Sequence, residues 1–145
     1  MRENLFRGIN VKNNRWVHGG YHHHEKKTSC VIEFNDEVEY SDIIMCSGFS
    51  DWNMAKPIDL YEVFPHSVGQ YIGIRDINGV KIYEGDILLA ESRDSSIRFR
   101  GVVVFSEASF VINQSNGMVH YRWRDYECEV IGNVIDNHDS LLLWD

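Results

Sequence analysis

Three groups of side chains have types and spacings that could do chemistry. The first is histidine-rich, "HGGYHHH", in which His18, His22 and His24 share parity and would project from one face of a regular strand. His22 and His24 would then stand roughly 6.6 Å apart at their Cα atoms, close enough for two imidazoles to meet one metal ion. A metal needs further ligands and supporting partners, and Gly19-Gly20 is expected to interrupt the strand between His18 and His22. A solvated strand end is therefore the stronger reading, with His22 and His24 kept only as weak metal candidates.

The second group is cationic. Arg98 and Arg100 alternate in "IRFRGVVVF", and Arg122 and Arg124 alternate in "MVHYRWR". If those strands are neighbours, four guanidinium forks gather beside His120 on one outer face and suit a phosphate or an acidic protein surface. The plain alternative is cross-strand pairing with Glu91, Glu107, Glu127 or Glu129. Tyr121 and Trp123 alternate with Arg122 and Arg124 and are expected to face the core rather than form a base-stacking platform, while Trp16 and Trp52, near loops, are candidate interface anchors, with core packing the default for Trp16.

The third group is nucleophilic and gives no catalytic constellation. Cys30, Cys46 and Cys128 are widely spaced, without a C-x-x-C pair, and read as buried thiols in a reducing compartment. "GFSDW" is not a nucleophile elbow, and the acidic pairs Asp36-Glu37 and Glu84/Asp86 sit in turn contexts where carboxylates accept backbone N–H bonds. A nucleophile needs a base and an oxyanion stabiliser beside it, so the expectation is no enzyme, no cofactor and no catalytic residue.

The elements that would position these residues are strands. Apolar spacing is mostly two, in short β-branched and aromatic runs between turn signals, so the chain reads as all-β with little helix. Residues 4 to about 24 form an opening hairpin around Asn13-Asn14; Asp42 to Cys46 is a strand or a short helix, followed by an excursion that Pro57 ends. The glycine-rich "VGQYIGIRDINGVKIYEGDIL" is a hairpin and not a phosphate loop, because no helix follows it. A type I turn at Asp76-Ile77-Asn78 with Gly79 left-handed sets Asp76 opposite Val80 and Ile74 opposite Ile82. That register puts Ile72, Ile74, Val80 and Ile82 on an inward apolar face and Tyr71, Arg75, Lys81 and Tyr83 on the other.

Five further strands, near 86–91, 97–105, 109–113, 118–124 and 129–135, have the number and length of a small closed antiparallel barrel of the Src homology 3 (SH3) kind. Phe99, Val103 and Phe105 would point inward, and Leu141 to Trp144 would lie as a tail or extra strand against the barrel or a neighbouring subunit. The expected organisation is one domain over 1–145, with an N-terminal β subdomain at 1–67 and a hairpin-plus-barrel subdomain at 68–145. The 22 acidic against 14 basic residues give a formal charge of −8, which disfavours nucleic acid unless positive charge is locally gathered. No segment reaches the roughly 18 apolar residues of a membrane span, so a cytoplasmic protein without a membrane partner is expected.

Three pieces, "FRGINVKNNRWVHGGY", the glycine-rich hairpin and "EVIGNVIDN" followed by "SLL", resemble the YopX family of phage and prophage proteins in order and separation. The resemblance implies a mostly β phage-borne accessory protein of unestablished activity, and it supplies no catalytic residues. The histidines of "HGGYHHH" depart from the family pattern, so any histidine chemistry would be local to this member. Three functions remain open: an interaction module for a host or phage protein that also self-associates, a nucleic-acid or nucleotide binder using the arginine face, and a metal-dependent activity at His22 and His24.

Overall fold

A computed structural model describes residues 2–26, 39–48 and 52–137. Its strands alternate with tight turns, every strand pairing among the described residues is antiparallel, and no described helix is long and apolar enough to cross a membrane. The chain contacts divide it into two compact units, one of Asn4–Gln70 and one from Tyr71 onward with Arg2 and Glu3.

In the first unit, β1 (Phe6–Ile9) and β2 (Trp16–Glu25) form the opening hairpin. Its turn is held by the Asn10 and Asn14 amides, which donate to the Arg15 and Asn10 carbonyls, with Asn14 at φ 55°. β3 (Tyr40–Ser47) pairs with β2 and then with β4 (Ile58–Val63), which settles Asp42 to Cys46 as strand. Gly69 and Gln70, opening β5 (Gly69–Arg75), pair with Arg7 and Phe6. Two glycines permit this packing. A Cβ on Gly8 would lie 2.9 Å from Val63, and one on Gly19 would lie 1.9 Å from the Met45 carbonyl oxygen. The glycine pair therefore does not interrupt β2, as its composition suggests; it lets the strand continue where a neighbouring backbone presses close. Ile9, Ile44 and Val63 are the buried aliphatics here.

The second unit contains β6 (Lys81–Tyr83), β7 (Asp86–Ser92), β8 (Arg98–Ser106), β9 (Ser109–Asn113), β10 (Val119–His120) and β11 (Tyr126–Asn133). The last five form a sheet in the order β10-β9-β8-β7-β11. This meander returns its last strand to its first, but among the described residues the edges β10 and β11 are not paired with each other, so those residues do not form the expected closed barrel. The fourth strand explains why: it stops at His120, and Trp123–Asp125 instead makes a 310 turn. Cys128, Ala90 and Phe99 align across three strands and pack with Ile82, Leu88, Val103 and Ile112 as the core. Phe105, expected inside, is 57% exposed and meets Phe110 edge to face, 5.1 Å between centroids.

The β5–β6 hairpin has the anticipated tip and a different body. The Asp76 amide donates to the Val80 carbonyl at 2.8 Å, Gly79 sits at φ +80°, and Arg75 faces Lys81. Tyr71 nevertheless faces Tyr83, so four steps on β5 match two on β6 and the surplus is absorbed around Gly73 at φ +95°. This bulge breaks up the expected faces: two of the four aliphatics stay inward, two turn out, and both tyrosines turn in. Ile82 and Ile72 pack on the core, Ile74 and Val80 turn outward at 39% and 49% exposure, and Tyr71 and Tyr83 are buried with centroids 5.8 Å apart.

Candidate ligand groove

A concavity of about 870 Å³ opens in the second unit, lined by the hairpin tip, by Arg93 and by residues 121–128. Its floor is built from the 310 turn. Trp123 packs against the core and its indole N–H donates to the Phe110 carbonyl at 3.0 Å, which pins the turn and leaves the flanking Arg122 and Arg124 exposed. Tyr121 is 63% exposed at the same rim, where an inward-facing residue was expected. The register of a strand would have buried it; the turn withdraws it from the alternation.

The opposite wall is the hairpin tip, held by one carboxylate. Asp76 Oδ1 accepts the Asn78 and Val80 amides at 2.8 and 2.9 Å, and Oδ2 accepts the Val130 amide of β11 at 3.0 Å. The Ile77 amide donates to the Cys128 carbonyl at 3.0 Å, so the tip is bonded along the free edge of β11 and presents Ile77 outward. Arg75 donates to the Gly79 carbonyl at 2.8 Å. Arg93 donates its amide to the Asp125 carbonyl, and its guanidinium stands 4.0 Å from Glu127. Among the described residues, Arg122 and Arg124 have no carboxylate within ion-pair distance.

The expected arginine quartet is thus divided. Arg122 and Arg124 line the groove with Arg75 and Arg93, two arginines that sequence spacing did not single out. Arg98 pairs with Glu91 at 3.0 Å across β7 and β8, and half-buried Arg100 faces Leu89; neither lines the groove. His120 does not join an outer cationic face. It stacks on Phe99 at 4.1 Å, its Nδ1 lies 3.0 Å from the Tyr126 hydroxyl, and burial pushes its imidazole below the usual histidine range. Buried Cys128 forms part of the groove lining, and burial pushes its thiol up to about 11.

The remaining candidates lie in the first unit. His22 and His24 share a face with ring centroids 5.7 Å apart, but no group of three or more metal-ligating side chains exists among the described residues. Trp16 lies under the Arg7 guanidinium at 4.7 Å, and Trp52 is 95% exposed. Cys46 is half-buried and its thiol donates to the His18 carbonyl; Cys30 and Leu141 to Trp144 fall outside the described residues. One cluster carried no periodic signal: buried Asp42 accepts from the Tyr21 hydroxyl and contacts His23 Nδ1 at 2.8 Å. Burial there would raise the Asp42 carboxyl, but the two hydrogen bonds outweigh it and hold it below the usual carboxylate range. Burial first, then Asp42, pushes Tyr21 up to about 12.

No curated protein matches the chain. Residues 5–142 match the family model described as YopX protein, and the chain belongs to the YopX family.

Proposed function

We propose that this YopX-family chain is a phage-type, non-enzymatic interaction module that grips a segment of a host or phage protein in the groove of its second unit. One observation carries the reading: an anchored Trp123 fans Arg122 and Arg124 out at the rim of a concavity whose other wall offers exposed Ile77. Exposed aliphatic and aromatic groups beside arginines with no carboxylate partner among the described residues are the composition of a protein-binding patch, where arginine and tyrosine are enriched. The net charge of −8 opposes long-range capture of a nucleic-acid backbone. Self-association and a cytoplasmic site of action belong to the same proposal.

Immobilised wild-type chain and a Tyr121→Ala/Ile77→Ser variant, exposed to host and phage-infected lysates, test it, with light scattering on each protein. The expected result is a protein retained by the wild type and lost from the variant. Equal retention by both would refute the groove as the binding surface. A second reading, single-stranded nucleic acid, draws on exposed Tyr121 beside Arg122 as a stacking platform. It predicts a salt-dependent shift of labelled oligodeoxythymidine that the variant loses.

A further inference from the structure

Resting on the protein-binding reading of the groove, we infer that its occupant is an acidic segment carrying one aliphatic or aromatic anchor flanked by carboxylates. The charge inventory of the lining supports this chemistry. Asp76 is committed to three backbone amides and Arg75 to a backbone carbonyl, so neither offers much to a ligand. Arg93 stands beside Glu127 at the long limit of an ion pair. Arg122 and Arg124 remain, exposed and with no carboxylate partner among the described residues, one on either side of an indole fixed in place. Guanidinium forks in that state complement carboxylates bidentately.

The same lining argues against a run of phosphates. Asp125 and Glu127 share the concavity with the arginines, and a strand with one charge on every residue would bring some of them against these carboxylates. A peptide can place its carboxylates at the two arginines alone and turn backbone N–H groups toward the acids. On the two walls, Ile77 of the hairpin tip and Tyr121 beside Arg122 expose apolar surface at 61% and 63%, which a charged ligand without an apolar side chain would leave wet. An anchor residue between two acidic ones satisfies both walls at once.

A random-peptide library selected on the full chain tests this, followed by fluorescence anisotropy of the selected peptides against wild type, Arg122→Ala/Arg124→Ala and Ile77→Ser. Neither arginine side chain bonds to another described residue, and the Arg122 carbonyl that accepts the Asp125 amide is kept in alanine, so the double variant should melt with the wild type. The inference expects selected peptides with Asp or Glu on both sides of an apolar residue. Their affinity for the wild type should fall with added salt, and in the arginine variant it should be about tenfold lower, two exposed ion pairs of somewhat under 1 kcal/mol each, with a weaker salt dependence. Neutral or basic peptides, insensitive to the arginines but lost in Ile77→Ser, would overturn the acidic occupant and leave the groove as a protein site. Peptides indifferent to every groove change, or displaced by oligodeoxythymidine at lower concentration than by free peptide, would overturn both.

Discussion

Replacing Asp76 should both loosen the hairpin tip and detach it from β11, and the two effects are separable. Its carboxylate accepts three backbone amides, two within the turn in exposed positions and one, from Val130, partly buried. Hydrogen bonds to a charged group contribute about 1.5 to 3 kcal/mol each when shielded and nearer 1 kcal/mol when exposed, so Asp76→Ala should cost about 3.5 to 5 kcal/mol. Asp76→Asn keeps one oxygen for Asn78 and Val80 but turns an NH2 toward the Val130 N–H, two donors face to face. That variant should lose about half as much. Urea unfolding followed by Trp123-sensitive fluorescence gives the global value, and native-state amide exchange assigns it. The Val130 amide should lose protection in both variants, and the Asn78 and Val80 amides only in Asp76→Ala. An alanine variant destabilised by less than about 1 kcal/mol, or a Val130 amide as protected in Asp76→Asn as in the wild type, would refute the assignment of this carboxylate as the clasp of the groove wall.

Gly19→Ala should abolish folding of the first unit or cost well over 3 kcal/mol, because its methyl would meet a backbone oxygen at 1.9 Å. Gly20→Ala, whose methyl meets only the flexible end of Met45 at 3.4 Å, should cost about 1 kcal/mol or less; thermal melts of the pair decide. The β8–β9 turn places Glu107 and Ala108 at φ 48° and 64°, a conformation that costs an L residue roughly 1 kcal/mol, so Ala108→Gly should raise stability by up to about that amount. Asp42 titrates below its unfolded value, so its contribution is present above about pH 4 and lost as pH falls through the folded value; Asp42→Asn should flatten that acid limb. Cys128 titrates above its unfolded value of about 9, so its contribution is present below that pH and declines by about 2 to 3 kcal/mol as pH approaches 11, an alkaline limb absent from Cys128→Ala.

How far the sequence could be read depended on how local each cause was. The opening hairpin, the strand character of most segments and the turn with Gly79 left-handed are fixed by side-chain alternation and by bonds spanning a few residues, and the structure has all three. The faces of the β5–β6 hairpin depart from simple alternation because a bulge at Gly73 satisfies no local rule that the sequence announces; glycine permits positive φ without requiring it. The segment "HYRWRDY" alternates as a strand should, yet the partly buried N–H of Trp123 finds its hydrogen-bond partner on Phe110, thirteen residues earlier. That tertiary bond accompanies a turn where a strand is expected, with Tyr121 exposed and β10 ending at His120.

The amino-acid order by itself determined that this chain builds antiparallel strands, where its tightest hairpin reverses, and to which family it is akin, since each follows from patterns contiguous along the chain. Only the tertiary structure decided which arginines meet. Arg75, Arg93, Arg122 and Arg124 are brought to one concavity by the pairing of β11 with β7 and by the Asp76 clasp on Val130. Arg98 and Arg100, equally well spaced, are directed to Glu91 and to the half-buried face beside Leu89. Spacing fixes the side of a strand on which a residue lies; what stands opposite is set by non-local pairing, which no short stretch of sequence encodes.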